Sequence, residues 1–253
     1  MRETKYYDDS FYAELDKGSY VSAQKILPVI KELFNPACVI DIGCGVGYWL
    51  KVWKEELMVD DILGVEGTYV TDKLFKLESK HLLNADLKLP LDLGRRFDLV
   101  MSMEVAEHIP EENSDIFIEN LIRAGDIIMF SAAIKGQLGT YHINEQMPEY
   151  WAKKFKKHNY IAIDYLRPKI WNDSSIAYWY RQNTLLFIRE ERLVDFPYLR
   201  DAALQTNPNY LTRIHPEKYF AYVEENKQLK DVLGFIRYKL YRMKKRWKGD
   251  KTP

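Results

Sequence analysis

The chain has 253 residues, 47% hydrophobic and 14% aromatic, with 37 basic and 37 acidic side chains and a formal charge of zero. That inventory excludes a disordered polymer and suits one domain with additions around a sizeable core. No run of about 18 apolar residues argues for a membrane-spanning helix, and the polar stretch from Met1 to Asp9 lacks the apolar core of a signal peptide.

Along the chain, residues 19–34 predict a helix, with Val21, Ile26, Leu27, Ile30 and Leu33 near helical spacing and Pro28 interrupting it. Residues 37–42 are a short apolar, partly β-branched run and read as a buried strand. Cys38 and Cys44 flank it, too far apart along an extended segment to bridge, so buried thiols in a cytoplasmic protein are expected. Glycines follow at Gly43, Gly45 and Gly47, and then a helical stretch through Trp49, Leu50 and Trp53. Further strands are expected at 61–66, 81–84, 97–103 and 126–132, with a helix at 115–123. Beyond Gly136, residues 141–147 read as a loop, 149–158 as a helix, and 160–166 and 184–189 as strands. Short apolar strands alternating with helical stretches predict a mostly parallel sheet covered on both faces.

The glycine turn carries the most information. Without a Cβ the backbone can take angles and approaches that other residues cannot, so a ligand can lie on the main chain at the head of the sheet. The dinucleotide fingerprint G-x-G-x-x-G needs a third glycine where this chain has Tyr48, and no Gly-Lys-Ser/Thr of a phosphate loop occurs. What remains is Val39-Ile40-Asp41-Ile42-Gly43-Cys44-Gly45-Val46-Gly47, followed by a second acid in Leu63-Gly64-Val65-Glu66-Gly67. After these come Asn84-Ala85-Asp86-Leu87 and then Phe97-Asp98-Leu99-Val100-Met101-Ser102-Met103-Glu104-Val105-Ala106-Glu107-His108-Ile109-Pro110. In this order and spacing the four elements resemble the motifs of the class I S-adenosylmethionine-dependent methyltransferases, over residues 19–190.

The resemblance implies an α/β, Rossmann-like class I methyltransferase fold. It is a mostly parallel seven-stranded sheet with helices on both faces, closed by an antiparallel hairpin and followed here by a C-terminal helical extension. The implied organisation is an N-terminal helical cap (1–36), a methyltransferase core (37–190) and an extension with a basic amphipathic helix (191–253). The implied cofactor is S-adenosylmethionine, its product S-adenosylhomocysteine. Gly43, Gly45 and Gly47 would admit its methionine and ribose portions, and Asp41 would hold the turn or reach the methionine amino group. Glu66 would accept from the ribose hydroxyls, and Asp86 with Leu87 would accept from and cover the adenine. Met103 and Glu104 would border the methionine and the methyl group. For Asp41 and Asp86 the alternative is turn formation or capping. Tyr20 and Gln24 are further contacts if the first helix folds over the methionine end, and otherwise belong to an ordinary covering helix.

Methylating a hydroxyl also requires removal of its proton, which a base of pKa near 7 performs well. His142, with Glu145 to orient it or to touch the acceptor, is the first choice, and His108 the second; both follow strands at the carboxyl edge of the sheet. A metal-assisted route through Glu104, Glu107 or His142 is chemically open, but the spacing shows no ligand cluster, so no metal is expected. The aromatic stretch 167–183 is the expected acceptor wall. Trp171 and Tyr180 would pack on sugar rings, and Arg167 and Arg181 would suit a carboxylate or phosphate; the alternative is that the aromatics fill a core. His142 and this stretch resemble methyltransferases of sugar and surface-polysaccharide biosynthesis, which implies O-methylation of a saccharide or nucleotide-sugar hydroxyl. The alternatives are a small-metabolite hydroxyl or amine, and a non-catalytic cofactor-binding scaffold.

Between Lys227 and Lys251, ten Lys/Arg stand against two Asp, so this segment carries +8 and the rest of the chain −8. The acidic body argues against nucleic acid as a partner. Tyr219, Tyr222, Asn226, Leu229, Leu233, Ile236, Leu240, Met243 and Trp247 alternate by three and four, the a/d spacing of a helix-packing seam. Val232, Phe235, Tyr238 and Tyr241 widen that seam, and basic residues surround Trp247, which also suits the anionic inner face of a membrane. Self-association, peripheral membrane contact and docking on its own domain are the three expectations.

Overall fold

The computed structural model describes residues 9–249, so the expectations for 1–8 and 250–253, and for the side chains of 9–17, of Leu229 and of 244–249 with Trp247, lie outside the described residues. The chain divides into two units, Met1–Arg213 and Ile214–Pro253.

In the first unit, β1 (Cys38–Ile42), β2 (Asp61–Glu66), β3 (Leu82–Asn84), β4 (Leu99–Met103), β5 (Ile127–Ser131), β6 (Tyr160–Ile163) and β7 (Leu185–Arg189) form one sheet. Its order is β3-β2-β1-β4-β5-β7-β6. β1 to β5 pair in parallel, and β7 runs antiparallel to β5 and to β6. This is the mostly parallel, Rossmann-like sheet with a closing antiparallel hairpin.

The strands alternate their side chains between two cores. Val39, Leu99, Met101 and Met129 pack on one face with Ile26 and Ile30 of α1 (Asp9–Phe34) and with Trp49 and Leu50 of α2 (Tyr48–Lys51). Ile40, Ile42, Val100, Ile128 and Phe130 pack on the other, under Phe117 and Leu121 of α3 (Ser114–Ala124) and Trp151 and Phe155 of α4 (Pro148–Lys156). Burial on both faces is why the strands read as unbroken apolar runs.

Three boundaries differ from expectation. α1 starts at Asp9, before residue 19. β6 ends at Ile163, because Asp164 turns its carboxylate back to Arg167 and the chain enters α5 (Arg167–Ile170), whose first turn holds Pro168. The stretch before β7 is therefore partly helical, with α6 (Tyr178–Asn183) following. Finally, residues 191–213, including α7 (Arg200–Gln205), belong with the first unit: Leu199 is fully buried in its core.

Glu149, in the first turn of α4, ties that segment down. It accepts hydrogen bonds from the backbone N–H of Leu211 and of Thr212 and from Thr212 Oγ1, each at 2.7 Å. Burial works to raise its pKa, but the donors on Thr212 and Leu211 outweigh it and the net shift is down. A depressed folded-state value contributes stability that is present above the ordinary pKa and lost as pH falls through the folded one. Glu149→Gln is expected to lose roughly 1–2 kcal/mol at pH 7, allowing for partial exposure, and to converge on the parent chain only as pH falls through the lowered folded-state value. Urea unfolding at pH 7 and below that value checks this.

The second unit is built on α8 (Pro216–Gly249), 34 residues long. Leu233, Ile236, Leu240 and Phe235 are all exposed on it. No helix among the described residues is long and apolar enough to cross a membrane.

Candidate active site

The carboxyl ends of β1 to β5 open onto a cavity of about 950 Å³. The glycine turn forms one wall. Gly43 has φ 86°, and a Cβ there would stand 2.5 Å from the methyls of Val105. Gly47, φ 91°, is the N-cap of α2, which continues as a wider π turn over Val52–Glu56. Above Gly45 nothing lies within 4 Å of where a Cβ would be, so the main chain is bare toward the cavity.

Two acids meet this turn. Glu66, at the end of β2, accepts the Gly45 N–H on Oε2 at 2.8 Å, and the Gly67 N–H (2.8 Å) and the Tyr69 hydroxyl on Oε1. Burial raises its pKa against the pull of those three donors. Asn84 Nδ2 donates to the carbonyls of Gly67 and Val70 and pins the loop after β2. Asp41 on β1 is fully buried, and its Oδ1 has no hydrogen-bond partner among the described residues. Burial first, then the charge of Glu66, pushes its pKa well up. A buried carboxyl oxygen lacking a donor can be answered by a proton, or by an ammonium or hydroxyl of a ligand.

Asp86 and Leu87, after β3, also line the cavity. Asp86 Oδ1 accepts the Lys88 N–H at 3.0 Å, so this residue forms the turn as well as facing the cavity. Met103 and Glu104 close β4. Glu104 has φ 57°, and its carboxylate accepts from Asn183 Nδ2 (3.1 Å) and Gln137 Nε2 (3.2 Å). Leu138 and Tyr141 are likewise non-glycine residues at positive φ on the cavity wall. Such backbone costs of order 1–3 kcal/mol each and is characteristic of ligand sites.

The far end of the cavity joins two loops. His108 follows β4 and His142 follows β5; the N–H groups of Ile143 and Asn144 both donate to the Glu107 carbonyl at 3.0 Å, which locks the loops together. The imidazoles lie edge to face, 5.0 Å apart. His142 Nδ1 pairs with Glu145 Oε1 at 2.8 Å, while Glu145 Oε2 accepts the Gly136 N–H at 2.7 Å. His108 Nδ1 donates to the Tyr141 carbonyl at 3.1 Å. Burial, and then the proximity of His142, lowers the His108 pKa to about 4, so its ring is neutral at pH 7. Glu107, fully buried, has its pKa pushed well up by burial and by the neighbouring carboxylate of Glu104. Glu107, His108 and His142 each bring one donor atom within 4.8 Å of the others. This grouping forms across two loops, so spacing along the chain does not reveal it.

Other assignments are also corrected. Tyr20 Oη and Gln24 Nε2 donate to Glu56 Oε1, at 2.6 and 2.9 Å, and neither lines the cavity; Ser19 does, since one residue along a helix turns the side chain by about 100°. Arg167 is fully buried in a fork with Asp164 and serves the fold, not an anionic acceptor. Arg181 is buried too, with Nη1 donating to the Trp171 carbonyl, and neither residue reaches the cavity. Tyr180 does reach it, packed edge-on to Trp49 at 5.1 Å and hydrogen-bonded to Ser19 Oγ at 3.1 Å. Sequence reasoning overlooked Tyr69, Gln137 and Asn183, whose polar atoms hold Glu66 and Glu104; only the position of Tyr69, three residues after Glu66, offered a signal.

In sequence the chain matches a family described as methyltransferase domain over residues 15–171. No curated protein matches it. Among solved structures, the plantazolicin methyltransferase BpumL, with a triazolic desmethylPZN analog and SAH, superposes with a TM-score of 0.54 at 15% identity, over 74% of this chain and 90% of that one. Its complex with a pentazolic analog gives 0.53 at 13%, over 74% and 90%. Magnesium protoporphyrin IX methyltransferase (ChlM) from Synechocystis PCC 6803, with SAH, gives 0.48 at 18%, over 74% and 92%. At these identities the likeness is one of fold.

Proposed function

The chain belongs to the methyltransferase domain family, with S-adenosylmethionine as its cofactor, and from that premise we propose that it methylates a hydroxyl of a saccharide. When bound, the cofactor supplies a methyl group on a sulfonium whose positive charge already activates the leaving group. Glu66 would hold the ribose, Asp86 and Leu87 the adenine, and Asp41 the methionine amino group, with Met103 and Glu104 beside the sulfur.

The observation that carries the hydroxyl reading is the His142–Glu145 pair at the cavity wall. Glu145 fixes the ring through Nδ1 and leaves Nε2 as the atom that takes the acceptor's proton. The saccharide reading draws on the lining: Tyr141, Tyr178, Trp179 and Tyr180 offer apolar faces for pyranose C–H groups. Among the described residues five acids and a single lysine, Lys88, line the cavity and no arginine does, which favours the neutral end of a saccharide over a phosphorylated one. Labelled methyl donor offered with neutral oligosaccharides and with sugar phosphates tests this. Label on the neutral acceptors supports it; protein that binds the cofactor and labels no hydroxyl compound sinks it.

Glu66→Gln is expected to weaken S-adenosylhomocysteine binding by about 10- to 100-fold in calorimetry, because an amide replaces a charged acceptor worth about 1.5–3 kcal/mol. For the tail, we propose that the a/d seam of α8 pairs with a second copy of the chain. Sedimentation should give a dimer for the full chain and a monomer for one ending at Asn226; monomers of both, with the full chain floating on anionic vesicles, would assign the helix to a membrane surface instead.

A further inference from the structure

We propose that Glu107, His108 and His142 bind a divalent first-row transition cation, of the manganese or zinc kind, at the acceptor end of the cavity. Their three donor atoms already lie within 4.8 Å of one another. Ligands about 2.1 Å from a common ion stand roughly 3–4 Å apart, so a small inward adjustment of side chains closes the set.

The outer partners are those that metal-binding histidines use. A ligating imidazole gives its second ring N–H to a carboxylate or a backbone carbonyl, which fixes the tautomer and aims the other nitrogen. His142 Nδ1 meets Glu145 and His108 Nδ1 meets the Tyr141 carbonyl, so Nε2 is the remaining ring nitrogen in both.

Glu107 supplies the independent observation. It lines the cavity, is 0% exposed, and accepts the Ala133 N–H on Oε1 at 3.1 Å, while its Oε2 has no hydrogen-bond partner among the described residues. A buried carboxylate oxygen without a donor calls for a proton or a cation. Glu104, immediately beside it, adds a second negative charge and cannot serve as that donor when ionised. Two imidazoles with a carboxylate select manganese, iron, cobalt or zinc over magnesium or calcium. Three protein ligands leave positions for an acceptor oxygen.

The inference rests on the hydroxyl reading above and revises one step of it. The acceptor oxygen binds the cation; its O–H bond breaks with the electron pair staying on oxygen and the proton passing to solvent water; His142 holds the cation instead of taking the proton.

Manganese alone is the probe. Chelator-treated full-length protein is titrated with Mn²⁺, free ion being counted by electron paramagnetic resonance, and with S-adenosylhomocysteine by calorimetry. One Mn²⁺ per chain is expected, with affinity at least tenfold weaker in Glu107→Gln and in His108→Ala and S-adenosylhomocysteine binding unchanged in both. Protein that binds S-adenosylhomocysteine but takes up no Mn²⁺, or takes it up equally in the variants, overturns the proposal. Uptake of Mn²⁺ without S-adenosylhomocysteine binding would leave the cation site standing and count against the cofactor assignment.

Discussion

Replacing His142 by alanine is expected to lower methyl transfer by at least about a hundredfold while leaving S-adenosylhomocysteine affinity unchanged. The ring belongs to the acceptor end of the cavity. Its partner Glu145 is held independently by the Gly136 N–H, so the loop keeps its shape when the imidazole is gone. The effect is the same in size whether Nε2 takes a proton or holds a cation, since either role ends with the ring. Near-normal turnover by a variant that still binds the product would remove His142 from the chemistry altogether. Glu145→Gln is the companion, retaining the hydrogen bond to Nδ1 but not the charge, and should fall between the two.

Arg167→Met is expected to cost roughly 3–5 kcal/mol of stability. The guanidinium is fully buried and makes a bidentate fork with Asp164, at 2.8 Å on both arms. Its Nη1 donates to the carbonyls of Gln182 and Leu211, at 3.1 and 2.7 Å. Removing it withdraws the guanidinium donor from both carbonyls and, among the described residues, leaves Asp164 with Arg213, at 2.7 Å, for charge. Arg167→Lys keeps the charge but loses the fork, and should recover only part of the loss. Urea unfolding gives the numbers; a change below about 1 kcal/mol would show that the cluster is not a keystone of the fold.

The sheet was readable from the sequence because its central strands are buried on both faces and bounded by turn residues, and so was the glycine-turn end of the cavity. Gly43, Gly45, Gly47 and Glu66 lie within one β-turn-α-β stretch, where short-range spacing does dictate geometry. The acceptor end was readable only as separate pieces. His108 and His142 sit on different loops, and their meeting depends on the Glu107 carbonyl clamping the backbone of Ile143 and Asn144, a contact with no local signature. Arg167 and Arg181 misled for a related reason: a charged residue among aromatics looks like a binding group until its partners, Asp164 and the carbonyls around it, are brought in from elsewhere. The register of α1 was the third difficulty, since Ser19 and Tyr20 are adjacent in sequence but look to different sides.

The hydroxyl of Tyr69, already seated on the Glu66 carboxylate, changes what cofactor entry means. In the proposed binding mode a ribose hydroxyl would displace the phenol from Oε1, exchanging one donor for another there. On departure the phenol would return to the carboxylate, so release of the spent nucleoside would leave no bare charge behind.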